Sequence, residues 1–194
     1  MLESFKSENI LLFFGKTGVG KTTLLNTLFN LNWPTDNAKA CTSELRFAVH
    51  KCAYRDLLVV DIPGIAESEE ADKLYNNIYI DALSKAGHII WVFQADSRVY
   101  RPDQIALLKY QMHFQKDVKI TLCLNQIDRI GEENWDNHAN TPSKDQMAYI
   151  KEKINDIYLK FKKYFGAITK NDLIPVSCVK NYNILDLYSK IIKT

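Results

Sequence analysis

Residues 15–22 restrict the fold of this 194-residue chain more than any other segment. Their sequence, Gly-Lys-Thr-Gly-Val-Gly-Lys-Thr, fits the pattern G-x-x-x-x-G-K-[ST] and lies between a strand-like and a helix-like run, as that pattern requires. The glycines let the backbone wrap closely around phosphates and present N–H groups at a helix N-terminus, where the helix dipole favours anions. A simple surface turn needs neither this spacing nor this context. The segment therefore predicts a phosphate-binding loop in an α/β domain.

Two side chains of this loop carry specific chemistry. Lys21 is expected to contact the β- and γ-phosphates, and the hydroxyl of Thr22 is expected to ligate Mg²⁺. The predicted phosphate-binding set is Gly15, Lys16, Thr17, Gly18, Val19, Gly20, Lys21, Thr22 and Thr23.

Strand-like and helix-like stretches alternate along the rest of the chain, which favours an α/β fold with a largely parallel sheet. The predicted strands are residues 10–14, 45–52, 57–62, 88–94, 118–125 and 173–177, the second and third forming a hairpin. Five helices are predicted. The first covers residues 22–30, the second runs through Leu74, Ile78 and Ala82, and the third opens at Pro102 with Ile105, Leu108 and Met112 on one face. The fourth is long and is capped by Ser143 and Gln146, and the last runs through Ile184 and Ile191. We therefore predict a three-layer domain over residues 10–194, after a short lead of residues 1–9. Its six-stranded sheet is mostly parallel, with one antiparallel edge strand.

Composition excludes several other classes of protein. Hydrophobic residues make up 46% and charged residues 25% of the chain, close to the averages of soluble globular domains. The formal charge of +2 gives no sign of a general nucleic-acid binder. No apolar run approaches the ~20 residues that span a bilayer. The four cysteines lie far apart without metal-ligand spacing, so we expect reduced thiols in a cytoplasmic protein.

The base of the nucleotide is predicted from Asn125-Gln126-Ile127-Asp128, which directly follows a predicted strand. A carboxylate at Asp128 can accept hydrogen bonds from N1–H and the exocyclic amine of guanine, whereas adenine offers a donor at neither place. Alone, an N-x-x-D pattern is usually turn chemistry. Its position after Asp61-Ile62-Pro63-Gly64 favours guanine instead, since Asp61 can reach Mg²⁺ through water and the Gly64 N–H can contact the γ-phosphate. GTP, GDP and Mg²⁺ are therefore the predicted ligands.

At these residues the chain resembles the Era-like GTPases of the translation-factor-related class, and most closely their prophage-type members, described as 50S-ribosome-binding GTPases. Residues 15–22, 61–64 and 125–128 resemble the first, third and fourth family motifs, and Ser177-Cys178-Val179 resembles the fifth. The resemblance implies that backbone N–H groups of the fifth motif lie near the guanine oxygen.

The resemblance also implies a switch segment at Cys41-Thr42-Ser43-Glu44, in which the Thr42 hydroxyl closes on Mg²⁺ and the γ-phosphate. Thr35 and Ser43 are the competing choices. Lys21, Thr42 and Gly64 are then the groups expected around the γ-phosphate during hydrolysis, and Thr22, Thr42 and Asp61 those expected around the metal.

Several residues depart from the family pattern. Gln126 replaces a common lysine and Cys178 a common alanine, while Ile65 stands where many GTPases carry a catalytic glutamine. Gly18 stands where potassium-stimulated relatives have asparagine. We therefore expect slow hydrolysis without potassium dependence. Glu67, Glu69 and Glu70 are near the site in sequence, but an acidic run that opens a helix more often complements the helix dipole.

Two functions remain open at this level. The chain is either a switch enzyme that hydrolyses GTP, with the ribosome implied as a partner only by the resemblance, or a GTP-loaded binding module. The second class includes septin-like and immunity-associated proteins, in which nucleotide organises a homodimer across the nucleotide face. Trp135 and His138 are either a partner-binding surface or, as we favour, a segment folded back onto the domain.

Overall fold

The computed structural model describes residues 1–35, 44–131, 135–166 and 168–193. Its strands are β1 Ile10–Phe14, β2 Arg46–Lys51, β3 Asp56–Asp61, β4 His88–Gln94, β5 Lys119–Asn125, β6 Trp135–Asp136, β7 Thr141–Pro142 and β8 Leu173–Pro175. Six of these form one sheet in the order β2-β3-β1-β4-β5-β8, while β6 and β7 form a separate two-stranded hairpin. Among the strands that the structure describes, only β2 runs antiparallel to its neighbour in the larger sheet. The predicted topology of the sheet, with one antiparallel edge strand, is confirmed.

The helices lie on both faces of this sheet. They are α1 Lys21–Phe29, α2 Glu69–Leu74, α3 Asn76–Lys85, α4 Arg101–Tyr110, α5 Lys144–Phe161 and α6 Ile184–Ile192. The predicted capping box opens α5, because the Ser143 side chain accepts from the Gln146 N–H and the Gln146 side chain accepts from the Ser143 N–H. This reciprocal pair satisfies two N–H groups that the first helical turn leaves without partners.

Alternation along each strand separates the apolar residues into two cores. Leu11 and Phe13 of β1 face the layer of α1 and α6, where Leu24, Leu28 and Leu187 pack. The neighbouring side chains of β1 face the other layer, which is built from α3, α4 and α5. Strands buried on both faces explain the continuous apolar runs at β1, β3 and β4.

The apolar stripe predicted for the helix that opens at Pro102 faces solvent and not the core. The stripe of Ile105, Leu108 and Met112 is 53%, 62% and 79% exposed. The buried face of α4 instead carries Ala106, Leu107 and Tyr110, together with Asp103. Both stripes have helical spacing, and the buried one presents a large aromatic ring to Phe14 and Tyr79.

The helix predicted through Leu74, Ile78 and Ala82 is interrupted at Tyr75, where α2 ends and α3 begins. Leu74 is 73% exposed, whereas Ala82 is buried. The lead segment, residues 1–9, forms two short 3-10 turns, and the side chain of Leu2 packs against the core.

Candidate nucleotide-binding site

The loop of residues 15–22 connects β1 to α1 at the carboxyl edge of the sheet, where open α/β sheets bind ligands. Gly15 and Gly20 both adopt positive φ, of 148° and 84°. A Cβ added at Gly15 would lie 2.4 Å from the Val92 carbonyl oxygen, and one at Gly20 would lie 2.7 Å from Nδ2 of Asn125. Only glycine fits this cradle, so the backbone N–H groups can approach a phosphate closely.

Lys21 is buried inside the curve of this loop. Its Nζ donates to the carbonyl oxygens of Gly15 and Lys16, each at 3.0 Å. Burial lowers the pKa of Lys21 to about 8, although Asp61 and Asp103 act to raise it. The ammonium group is therefore held at the phosphate loop at a high desolvation cost, which an anionic ligand would offset.

Thr22 and Asp61, two of the residues predicted to hold magnesium, meet beside the loop. The Thr22 hydroxyl donates to Oδ2 of Asp61 at 2.7 Å, and the Asp61 side chain is fully buried at the end of β3. A hydroxyl and a carboxylate are oxygen ligands of the kind that Mg²⁺ takes, with the remaining positions left to phosphate and water. No cluster of three or more His, Cys, Asp or Glu side chains within the described residues could hold a metal by itself. The residues present fit a metal that binds together with a nucleotide.

The segment after Asp61 pairs with the phosphate loop. Thr17 N–H donates to the Ile65 carbonyl oxygen at 3.0 Å, and Ile65 N–H donates to the Gly15 carbonyl oxygen at 3.2 Å. A Cβ added at Gly64 would lie 2.5 Å from the Thr17 nitrogen, so no side chain fits there. Oγ1 of Thr17 is buried and, among the described residues, has no hydrogen-bond partner. This hydroxyl lies against Gly64, whose N–H is expected to contact the γ-phosphate.

Asn125 connects the phosphate loop to the fifth-motif loop. Its Nδ2 donates to the Val19 carbonyl oxygen at 2.9 Å, and its Oδ1 accepts from the Cys178 thiol at 3.7 Å. Gln126, in a left-handed conformation with φ of 63°, places Nε2 at 3.5 Å from the Gly18 carbonyl oxygen. Three predicted binding segments are thus held together by side chains of one tetrapeptide.

Asp128 is the last residue of the tetrapeptide 125–128 and lies in a 3-10 turn. Its Oδ1 is shielded from solvent and has no hydrogen-bond partner in the part of the chain that the structure describes. The same holds for Oε1 of Gln126. A buried carboxylate oxygen without a donor is costly, and such groups in native proteins usually mark an absent ligand or water. The guanine N1–H and amine are donors of the required kind.

The fifth-motif loop, Ser177–Val179, is held by more hydrogen bonds than the sequence alone predicts. Ser177 N–H donates to the Tyr182 carbonyl oxygen, and the Ser177 hydroxyl accepts from Lys180 N–H, so Ser177 shapes the turn itself. Burial raises the pKa of the Cys178 thiol to about 11, which keeps it protonated. Val179 is 81% exposed.

The hairpin of β6 and β7 lies over this loop. Trp135 is 7% exposed, its ring packs edge-on against Tyr182 at 5.5 Å, and its indole N–H donates to Oδ1 of Asn140. Nδ2 of Asn140 then donates to the Lys180 carbonyl oxygen at 2.9 Å. Trp135 is therefore folded back, as favoured from the sequence, and it supports the candidate site. Two-residue strands give no hydrophobic period, so the sequence did not predict this hairpin.

The remaining residues singled out from the sequence lie in different surroundings. Thr42 and Ser43 lie outside the described residues, while Thr35 is described and exposed. Thr23 is exposed in the first turn of α1. Glu69 and Glu70 open α2 after an N-cap at Ser68, consistent with dipole complementation. Cys52, Cys123 and Cys178 are free thiols.

The phosphate loop at the start of α1, the hydroxyl–carboxylate pair of Thr22 and Asp61 and the buried Oδ1 of Asp128 are together the features of a P-loop nucleotide-binding domain. Residues 10–126 match the model of the 50S ribosome-binding GTPase family. The chain belongs to this family, and the predicted Era-like class is confirmed. Among the described residues, no helix combines the length and the apolar character that spanning a bilayer requires.

Similar proteins support this assignment. The uncharacterised protein YkfA of Escherichia coli K12 is 29% identical over 150 residues, which cover 73% of this chain and 49% of YkfA. The GTPase Era of Aquifex aeolicus is 27% identical over 185 residues, covering 92% of this chain and 54% of Era.

Solved structures of Era share the fold. A variant of Aquifex aeolicus Era bound to GDP and AlF₄⁻ superposes with a TM-score of 0.71 at 24% identity, covering 95% of this chain and 56% of that one. Era in complex with MgGDPNP and nucleotides 1506–1542 of 16S ribosomal RNA also gives 0.71, at 22% identity, covering 97% and 57%. The chain thus spans about half the length of these relatives.

Proposed function

We propose that this chain binds GTP and GDP together with Mg²⁺ and hydrolyses GTP slowly, acting as a nucleotide-dependent switch in the cytoplasm. The observation that carries the proposal is a buried acceptor without a donor at Asp128, three residues after an asparagine that is joined to the phosphate loop. Asn125 donates to Val19 of that loop, while Asp128 presents a buried oxygen that lacks a donor within the described residues. A buried acceptor of this kind favours a ligand that supplies its hydrogen bond and penalises one that does not.

Each group at the site has a separate role in this proposal. The loop N–H groups and Lys21 bind and orient the phosphates, and Thr22 and Asp61 hold Mg²⁺, which neutralises developing phosphate charge when it is bound. Thr42 and Gly64 are proposed to close on the γ-phosphate. Ser177, Cys178 and Val179 are proposed to line the guanine side.

Slow turnover is expected because Ile65, directly after Gly64, carries no polar group that could orient the attacking water. Ile65 is 3% exposed and belongs to the same hydrophobic core as Tyr79. Gly18 has no side chain, so this position offers no side-chain oxygen for a potassium ion. The isolated chain is then expected to hydrolyse GTP at roughly 10⁻⁴ to 10⁻² s⁻¹, as unassisted GTPases do.

Single-turnover hydrolysis tests this proposal directly. We expect slow hydrolysis with little difference between sodium and potassium buffers, and no hydrolysis by Lys21→Ala, which should lose tight nucleotide binding. Thr22→Ala should mainly lose the magnesium dependence of binding, measured with fluorescent GDP with and without EDTA. Equal binding of GDP by Lys21→Ala and by the wild type would contradict the assignment of the phosphate loop.

The second candidate function is a binding module whose nucleotide organises a homodimer across the nucleotide face. Val179, 81% exposed beside the predicted base site, favours an apolar contact at this face. Size-exclusion chromatography with GDP and with a non-hydrolysable GTP analogue distinguishes the two functions. A GTP-dependent dimer with no turnover supports the module, whereas a monomer with turnover supports the switch.

The family description and the Era complex make ribosomal RNA the first macromolecular partner to test. Sedimentation of the chain with ribosomes in each nucleotide state is the measurement. Binding that requires the GTP analogue would support a ribosome-linked switch, and equal absence of binding in all states would exclude it for this chain.

A further inference from the structure

Lys16 belongs to the phosphate-binding motif, yet its side chain points away from the phosphate loop. Its Nζ lies 3.4 Å from Oδ2 of Asp103 and 3.3 Å from the Ser97 hydroxyl, and it donates to the Val99 carbonyl oxygen. The lysine side chain is 14% exposed and the aspartate side chain is fully buried. The Lys16 side chain thus attaches the phosphate loop to α4 and to the segment that precedes it.

The carboxylate that receives Lys16 is itself held in the core. Oδ1 of Asp103 accepts the indole N–H of Trp91 at 3.0 Å, and the Trp91 ring packs against Phe14 at the end of β1. A buried carboxylate is unfavourable unless it is paired, so Asp103 fixes the position of the ammonium that neutralises it. The result is a rigid link from the centre of the sheet to the phosphate loop.

The backbone of Lys16 lies at a junction of the site. Its carbonyl oxygen is one of the two that accept from Nζ of Lys21. Its neighbours, Gly15 and Thr17, make the two hydrogen bonds to Ile65 that join the 61–65 segment to the loop. Any displacement of Lys16 would therefore move both the support of Lys21 and the pairing with Ile65.

We propose that Lys16 is a positioning residue for nucleotide binding, which holds the phosphate loop in its binding conformation by anchoring it to Asp103, Ser97 and Val99. This inference rests on the proposed function. Preorganisation of this kind raises affinity by lowering the ordering that binding would otherwise require. The alternative role is purely structural, with the ion pair only attaching α4 to the sheet.

The test compares GDP affinity and melting temperature in Lys16→Met, Lys16→Arg, Asp103→Asn and the double variant Lys16→Met/Asp103→Asn. We expect Lys16→Met to weaken GDP binding by about tenfold, and Lys16→Arg to stay within about threefold because it keeps the cation. Lys109→Met is the matched control, because Lys109 is an exposed lysine of α4 and should bind GDP as the wild type does.

The double variant separates positioning from stability. Replacing Asp103 by asparagine removes the unpaired buried charge, so the melting temperature should recover relative to Lys16→Met, whereas GDP affinity should remain about tenfold weaker. Recovery of both would overturn the proposal, as would wild-type affinity in Lys16→Met. If Lys16→Met does not fold, wild-type affinity in both Asp103→Asn and the double variant overturns it instead. A wild-type chain that binds no GDP would refute the proposed function itself.

Discussion

At the scale of single residues, Asp128 is the group that should choose the base. Asp128→Asn replaces one carboxylate oxygen, an acceptor, by an amide NH₂ group, which is a donor. The variant should therefore lose at least ~10³-fold in GDP affinity and gain affinity for xanthosine diphosphate, whose C2 carbonyl needs a donor. Calorimetry with both nucleotides measures the exchange. Asp145→Asn, an exposed carboxylate in the first turn of α5, is the control and should change neither affinity. Comparable affinity of the wild type for GDP and ADP would refute the guanine assignment.

A second residue, His88, should make stability depend on pH. Its ring is 3% exposed, its Nε2 lies 2.9 Å from the Thr121 hydroxyl, and burial lowers its pKa to about 4, helped by Lys119, Arg55 and Lys190. The unfolded chain binds a proton near pH 6.5, but the folded chain does not until about pH 4. Stability is therefore lost as pH falls between these values, by about 2 kcal/mol from pH 7 to pH 5.

His88→Gln isolates this contribution, because glutamine can keep the hydrogen bond to Thr121 but does not titrate. Urea unfolding at pH 7 and pH 5 should show that the variant loses about 2 kcal/mol less than the wild type over this interval. Equal losses in the two proteins would mean that His88 is protonated in the folded state at pH 5.

At the scale of elements, the β6–β7 hairpin should govern how fast nucleotide leaves. Asn140 links the hairpin to Lys180 and has φ of 50°, so Asn140→Gly removes the amide without straining the backbone. The loop that carries Ser177–Val179 then loses the hydrogen bond from Asn140. Because one hydrogen bond contributes about 1 kcal/mol, GDP release should accelerate by about three- to tenfold. Stopped-flow displacement of fluorescent GDP measures this rate. His138→Ala, on the same hairpin, should release GDP at the wild-type rate.

The elements also show which parts of the molecule are predictable from sequence. The strands around residues 15–22 and 125–128 were predicted within a few residues, because apolar runs and motif spacing are local signals. The exposed face of α4 was not, since two stripes of helical spacing compete and the choice depends on Asp103 meeting Lys16 and Trp91. Such partners are distant in sequence and follow only from the tertiary fold.

The candidate site divides in the same way. Its loops and their order could be read from the motifs, whereas the inward or outward direction of each side chain could not. The motif predicts that Lys16 binds phosphate with its neighbours, but its side chain turns away from the loop to contact Asp103 of α4. The motif predicts Asn125 near the base, and in the structure its side chain joins Val19 to Cys178.

At the scale of the whole molecule, the proposed nucleotide would join segments that follow β1, β3, β5 and β8. These strands span most of the sheet, so a bound nucleotide would stabilise the folded chain against global unfolding. Binding to the native state alone adds about 2.7 kcal/mol when the free ligand is about 100 times its dissociation constant. For a domain of this size, that corresponds to a rise in melting temperature of roughly 5 to 10 °C.

We therefore expect GDP with Mg²⁺ to raise the melting temperature by this amount, and ADP with Mg²⁺ at the same concentration to leave it unchanged. EDTA should reduce the shift, because it would remove the Mg²⁺ that Thr22 and Asp61 are proposed to hold and that would offset phosphate charge. Lys21→Ala should show no shift, and this variant also reports any non-specific effect of nucleotide on unfolding. Differential scanning calorimetry provides the measurement. Equal shifts with GDP and ADP would place the stabilising contacts at the phosphates alone and remove Asp128 from base recognition.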